Sequence, residues 1–501
     1  MALTINNSNR ITGLASGLET ESIVESLMKQ YQMKVDKQNQ KTTKLEWTAE
    51  AYREINTLIR NFRQDYLSVL SSTNMMSSTA YSNFKVNMLT ANSAVNVSVA
   101  STAVAGEYTI ESIVQLATAA AIESKNAFVG ETFDSETKLS ELQLQHMLQF
   151  ETVVDENGES RNVISFSING KTFTFGEDDT IGSVMKQVNN AGLGVTMRYS
   201  SLKKGFILTA EKTGSQSEIK IENLKGNAFS KVDSAFGIAE DTYKGQDAIC
   251  TIEGMLVTQP TNTFSFDGIT YTLADKSDTP IKFRVEQDYE TTANNIIKFI
   301  DAYNELIDKL QTKVTERRYY DYEPLTDAQK DEMKDDEIEK WEKYAKSGLL
   351  RNDPYIKNLI SSLRSAYLSK PEGVAKTLSD IGISTKSWAD GAKIKVDKDK
   401  LLTALKEDPE SVRRLFTSTE KDGGKGLMVN ISDALLNYYN NTTDIALDNL
   451  DDQISRSKEI ADRLAEKMKE KEEDLWAKYS QMEASLTRLN SMSNWLASIF
   501  G

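Results

Sequence analysis

Very few residues in this chain could carry out covalent chemistry. There is one histidine, His146, in the polar stretch SELQLQHMLQF, and one cysteine, Cys250. A lone imidazole cannot supply both ligands of an HExxH zinc site. A Ser–His–Asp triad would have to pass through His146, and no serine sits in a GxSxG elbow. A single cysteine excludes an internal disulfide framework and any multi-cysteine metal site, so Cys250 reads as a small core residue of a strand. Gly423-Gly424-Lys425-Gly426 lacks the GxxxxGK[ST] spacing of a phosphate-binding loop and reads as a connection into the last helix. Gly192-Leu193-Gly194 lacks the third glycine of a dinucleotide fingerprint and ends a helix where that fingerprint opens one. The acidic pairs Asp178-Asp179 and Asp397 with Asp399 lack the sixth-position glycine and terminal glutamate of a calcium loop. His146 is then a surface or loop-packing residue. The expectation is a non-enzymatic chain with no catalytic residue, no cofactor and no metal site.

Apolar spacing is more informative. No glycine or proline lies between Gly426 and Gly501, and Leu447, Ile454, Ala461, Met468, Leu475, Met482, Leu489 and Leu496 recur every seventh residue. A straight helix drifts about 20° per heptad against that repeat, so the series predicts a left-handed coiled coil about 75 Å long. Its intervening seam positions turn polar at Lys471 and Lys478, where Tyr479 and Leu486 take over one residue later. A second seam reads Leu45, Thr48, Tyr52, Ile55, Ile59, Phe62, Tyr66 and Val69, in steps of three and four. Upstream it continues through Val24, Leu27 and Tyr31 and fades into Lys34, Gln38 and Lys41. That helix is expected to begin near Glu19 or Thr20, with Glu21 and Glu25 suiting its positive end. A third seam runs Ala293, Ile296, Ile300, Tyr303, Ile307, Leu310 and Val314.

The 501-residue length predicts several domains. A net charge of −15 argues against nucleic-acid binding, and no run approaches the ~20 apolar residues of a membrane span. The opening MALTINNSNR lacks the basic and apolar regions of an ordinary secretory signal. Fifteen of the 25 glycines fall between Gly106 and Gly268, so helix-rich ends enclose a turn-rich middle.

That middle reads as strands: Ile164–Ile168 returning through an Asn169-Gly170 turn to Phe173 and Phe175, then Val195–Tyr199, Phe206–Ala210 and Ile219–Ile221. Further strands are expected at Ala248–Val257, Phe264–Phe266, Ile269–Leu273 and Ile281–Val285, and Tyr108–Val114 is expected near Val95–Val99. Glu323–Glu342 holds nine acidic and three basic residues and reads as a solvated face, with Asp335 or Asp336 capping a short helix. Asp353-Pro354 and Asp408-Pro409 are cap-plus-first-turn starts of two further helices.

The motifs now in view, taken in order, resemble one family. ITGLASGLETESIVESLM (Ile11–Met28) is similar to the opening of the flagellar filament-capping proteins, the hook-associated protein 2 family. Gly245–Phe264 resembles the start of that family's C-terminal region, and FIDAYNELIDKL (Phe299–Leu310) its F-x-x-x-Y-N-x-L helix. Leu378–Phe416 resembles its L-x-[DE]-[IL]-G-I segment and the helices that follow. Phe166–Ile221 is similar to the flagellin hook IN motif.

The resemblance implies a multidomain α+β fold in which a helical, coiled-coil leg built from both termini carries inserted β-rich head domains. Residues 1–44 with 455–501 would be terminal arms, and 45–75 with 290–454 the leg bundle. Residues 76–130 with 245–289 would form one head domain and 131–244 a second. Filament docking and self-association would fall to Gly13, Leu14, Ala15, Ser16, Gly17 and Leu18, together with Leu489, Met492, Trp495, Leu496, Ile499 and Phe500. The coiled-coil seam would use Leu45, Tyr52, Ile55, Ile59, Phe62, Tyr66, Leu447, Ile454, Met468, Leu475 and Met482.

The implied role is a ring at the distal tip of the bacterial flagellum that retains exported flagellin and promotes its folding and insertion. Its partners would be further copies of itself, flagellin, hook–filament junction proteins and an export chaperone on the C-terminal helix. Its location would be extracellular, reached through the flagellar type III apparatus without a cleaved signal. The acidic Tyr319–Ser347 stretch departs from the pattern by its length and receives no role from the resemblance. Two other readings compete: an adhesin whose heads bind mucin or glycans, and another axial filament component. NTLIRNFRQDYLSVLSS replaces the flagellin N-S-A-x-D-[DN]-A-[AS]-G-L run, which argues against a flagellin.

Overall fold

The computed structural model describes residues 19–124, 134–144, 148–154, 159–230, 234–385 and 392–500. His146 and Gly13–Leu18 lie outside them. Two compact units result, one from residues 1–81 with 289–501 and one from 82–288.

The first unit is helical. Its N-terminal helix spans Thr20–Tyr66 and its central helix Tyr289–Thr315. Every residue of the third seam is buried, from Ala293 to Val314, and Phe299 and Leu306 are buried beside it. The central helix is therefore enclosed on more than one side and forms the axis of the core. Around it pack Ile55, Ile59 and Phe62 of the N-terminal helix, Leu359 and Leu363 of the helix Pro354–Tyr367, and Leu401, Leu405, Leu415 and Phe416 from the pair Lys398–Glu407 and Pro409–Thr417. Asp353 and Asp408 cap two of these helices, accepting from Ile356 N (2.9 Å) and Ser411 N (3.0 Å), each with proline following. Asp353 also accepts a hydrogen bond from the Tyr52 hydroxyl, which fastens the N-terminal helix to this cap.

The last helical run is not one continuous α-helix. Leu427–Asn441 passes through a π-helical turn at Thr442–Leu447 into the C-terminal helix Asp448–Phe500. Thr442 is fully buried there, and its hydroxyl donates to Asn56 Oδ1 (2.9 Å) across the interface. The expected rod thus carries one widened turn, which periodicity alone does not reveal.

The second unit contains two separate cores. In the first, strands run in the order Phe84–Met88, Ile281–Gln287, Gly106–Gln115, Ala248–Ile252 and Met255–Gln259. A three-stranded sheet of Thr263–Phe266, Ile269–Leu273 and Val95–Val99 contributes to the same core. The run expected as one strand over Ala248–Val257 is a hairpin: Glu253 and Gly254 both have positive φ (50° and 74°) and turn the chain. Gly106–Gln115 pairs with Ala248–Ile252 and Ile281–Gln287, while Val95–Val99 pairs with Ile269–Leu273, so the two strands share one core, as expected of near neighbours, but pair with different strands.

The second core gathers Phe166, Phe175, Phe206, Phe229 and Phe236 under strands Ser160–Ile168, Lys171–Gly176, Glu218–Lys225, Val195–Ser200 and Gly205–Thr213. The helix Ile181–Asn189 seals it with Ile181, Val184 and Val188. Ala119–Glu123 pairs with Gly205–Thr213 and places Ala120 in this core, so the chain crosses between cores before residue 119 and not near 130.

Cys250 is 1% exposed in the first core, and burial pushes its thiol up to about 11. Because only the thiolate alkylates readily, reaction with iodoacetamide at neutral pH must wait for opening of that core. We expect labelling at least about a thousandfold slower than in urea, read by mass spectrometry. Prompt labelling of the native chain would contradict this packing.

Candidate docking and self-association surface

The two terminal helices run antiparallel, and polar contacts fix their alignment. Arg53 Nη2 meets Asp451 Oδ1 (2.9 Å), and Lys458 Nζ meets Glu46 Oε1 (2.7 Å). Both pairs are largely exposed and each contributes under ~1 kcal/mol, so they select alignment more than they add stability. A buried polar layer lies between them. Gln38 Nε2 donates to Ser457 Oγ (2.7 Å), and the hydroxyls of Thr42 and Ser457 are 2.8 Å apart. Polar groups inside an apolar seam satisfy one another in only one register.

Of the seam residues read from sequence, Tyr52, Ile55, Ile59, Phe62, Leu447 and Ile454 are buried. Leu45, Tyr66, Met468, Leu475 and Met482 are half-buried. Burial holds the Tyr66 phenol above its usual range, and burial with the hydrogen bond to Asp353 does the same to Tyr52.

Below Leu45 the expected seam is corrected. One row runs as read, through Val24, Tyr31, Gln38 and Leu45, but its companion is Met28, Val35, Thr42, Ala49 and Asn56. Leu27, Lys34 and Lys41 lie exposed one position away. The seam therefore does not fade there; at Gln38 and Thr42 it turns polar and meets Ser457. Its upper end is corrected as well. The helix stops at Tyr66, and Val69 is 91% exposed. The exact sevenfold spacing of Val35, Thr42 and Ala49 was the available signal for the companion row. Thr42, Asn56 and Ser457 were missed because polar residues do not score in an apolar periodicity.

The end of the C-terminal helix differs from the rest. Leu489 (58%), Met492 (54%), Trp495 (61%), Leu496 (45%) and Ile499 (52%) are exposed, whereas Ile454 and Ala461 of the same sevenfold series are covered. Leu489, Met492, Leu496 and Ile499 advance by three, four and three, which aligns them on one face. The Phe500 side chain is outside the described residues. A contiguous apolar stripe of this kind is the signature of a surface that meets a partner. Among the described residues, no group of three or more His, Cys, Asp or Glu side chains could hold a metal ion, and no helix is long and apolar enough to cross a membrane.

Two family descriptions match the chain in order. "Flagellar hook-associated protein 2 N-terminus" covers residues 16–120 and "Flagellar hook-associated protein 2 C-terminus" covers residues 245–491. The flagellar hook-associated protein 2 of Halalkalibacterium halodurans is 28% identical over 438 residues, 82% of this chain and 79% of that protein. The Escherichia coli K12 protein of the same name is 22% identical over 97% of both chains. A crystal structure of the D1-D2-D3 domains of the flagellar cap protein FliD from Escherichia coli superposes with a TM-score of 0.53 at 20% identity. It covers 80% of this chain and 99% of that one, and shares its α+β fold.

Proposed function

Because this chain belongs to the flagellar hook-associated protein 2 family, we propose that it is a non-enzymatic cap at the distal tip of the bacterial flagellar filament. Copies of the chain assemble into a ring outside the cell, retain flagellin arriving through the filament, and promote its folding and insertion beneath the ring. The observation that carries this reading is the uncovered stripe from Leu489 to Ile499 at the end of the long helix pair. A cap must grip a growing filament end and release it stepwise, so it needs differential binding between successive positions and no covalent step. An apolar stripe on a helix supplies graded, non-directional attraction suited to that. The path outward is the flagellar type III apparatus, and further partners are the hook–filament junction proteins and an export chaperone on the C-terminal helix.

Deleting the chain from its parent bacterium tests the reading. The expected result is unpolymerised flagellin in the medium and filaments shortened or absent. Normal-length filaments in the deletion strain would sink it. Binding of the isolated 82–288 unit to mucin or a glycan array would instead favour an adhesin.

A further inference from the structure

The acidic stretch that follows the central helix is a folded element built onto the N-terminal helix. Its two ends close on each other: Ser347 Oγ donates to the Arg317 carbonyl (2.7 Å), and Arg318 Nη1 donates to the carbonyls of Ala345 and Ser347 (3.0 Å each). Between them lie the helices Asp327–Asp331 and Asp335–Lys346. The second is not capped by Asp335 or Asp336, as expected from sequence. Glu337 reaches back to accept from Lys334 N (3.1 Å), and the two aspartates occupy its first turn. A half-buried aromatic cluster links the incoming chain to the second helix. The Tyr322 ring lies 4.6 Å from Trp341 and 4.9 Å from Tyr344, and Tyr319 lies 5.0 Å from Tyr344. Trp341 Nε1 donates to the Glu323 carbonyl (2.8 Å) and holds the incoming strand of chain in place.

This element grips the N-terminal helix at one height. Gln40 Nε2 donates to the Pro324 carbonyl (2.7 Å), Lys44 pairs with Glu323, and the Lys346 ammonium sits 4.9 Å from the centre of the Trp47 ring. Gln40, Lys44 and Trp47 advance by four and three along one face of the helix. The Gln38 and Thr42 side chains, bound to Ser457, lie on a different face of the same two turns. The polar stretch of the helix is thus held from two sides, by the C-terminal helix and by the acidic element.

We infer that residues 317–348 are a clamp that keeps this polar stretch helical. The seam there offers less apolar burial than above, since Gln38 and Thr42 stand where the upper turns place larger apolar groups. A helix of that composition is marginal in water without tertiary contacts. The clamp supplies the missing contacts through Trp47, Gln40 and Lys44. Order in the apolar seam above Ala49 is thereby carried downward to Val35, Tyr31 and Val24.

Hydrogen exchange with mass spectrometry on the full chain tests this, independently of any role at the filament. One variant excises residues 319–346 and joins Arg318 to Ser347 through two glycines, which the closed ends permit. A second, Trp341→Ala, keeps the chain length and removes the ring that organises the clamp. Peptides spanning 33–48 are expected to exchange at least about tenfold faster in both, while peptides spanning 52–66 and 95–285 keep their protection. If the excised chain fails to fold, Trp341→Ala decides alone. Undiminished protection at 33–48 overturns the inference. So does a loss in Trp341→Ala that spreads to 52–66, because the element would then be part of the core and not a local clamp.

Discussion

Leu489→Asp combined with Leu496→Asp is expected to remove the proposed cap from the filament tip and to leave both of its units folded. The two side chains are seven residues apart on one helical face and are 58% and 45% exposed. Aspartate at such positions changes monomer stability by only about ±0.5 kcal/mol, as exposed substitutions generally do. In a docked state the balance differs. Each leucine, already about half covered, forgoes roughly half of the ~1.5–3 kcal/mol that full burial is worth, and each carboxylate adds a further cost for leaving water without a partner. Burial alone gives a loss of about 1.5–3 kcal/mol for the pair, or roughly ten- to a hundredfold in occupancy for one subunit. Fluorescence microscopy of the tagged cap, with circular dichroism of the purified chain, separates docking from folding. Unchanged tip localisation would show that this stripe is not the docking surface.

Replacing Asp353 with alanine is expected to cost the helical unit about 3 kcal/mol. Asp353 is 8% exposed and has two duties, capping the helix Pro354–Tyr367 through Ile356 N and accepting from the Tyr52 hydroxyl. Loss of a cap costs about 0.5–2 kcal/mol, and a phenol left buried without its acceptor costs about 1–3. None of the five tryptophans, Trp47, Trp341, Trp388, Trp476 and Trp495, falls in the 82–288 sequence that forms the β-rich unit. Tryptophan fluorescence during denaturation therefore reports this unit separately from the β-rich one. Tyr52→Phe should cost less by itself, and the double variant should cost less than the sum, because both substitutions break the same hydrogen bond. A loss under about 1 kcal/mol for Asp353→Ala would mean that the cap and the tyrosine hydrogen bond carry little of the stability, and strict additivity in the double variant would mean that they are not coupled.

What was legible in the sequence follows from which interactions leave a periodic trace. The seam of the central helix, from Ala293 to Val314, could be read because every member is bulky, apolar and buried. The Asn169-Gly170 and Asp267-Gly268 turns could be read because left-handed backbone selects those residues, and all four have positive φ. Glu253-Gly254 adopts the same conformation but hides inside a run of strand-forming residues, so two strands looked like one. The companion row of the N-terminal seam was misplaced by one residue because a three-or-four spacing is nearly degenerate. The burial of Thr42 and its hydrogen bond to Ser457, 415 positions away, decide between Thr42 and Lys41. Of the docking residues, the stripe at Leu489–Ile499 was legible as bulky apolar side chains with nothing nearby in sequence to cover them. The clamp was not legible, since its aromatic cluster lies within a segment whose dominant signal is charge.

The π-helical turn at Thr442–Leu447 has a geometric consequence. Relative to an ideal α-helix it takes up one additional residue, and one residue corresponds to about 100° of rotation about the axis. Everything beyond it, a rod of 53 residues and about 80 Å, inherits that angular offset. The turn therefore sets the azimuth at which the terminal stripe faces outward, as the cut of a key fixes which way its bit points. A single-residue deletion inside 442–447 would swing the stripe by roughly a third of a revolution while leaving each of its side chains unaltered. Thr442 and Asn56, far from any docking residue in sequence, anchor the joint that gives the tip its direction.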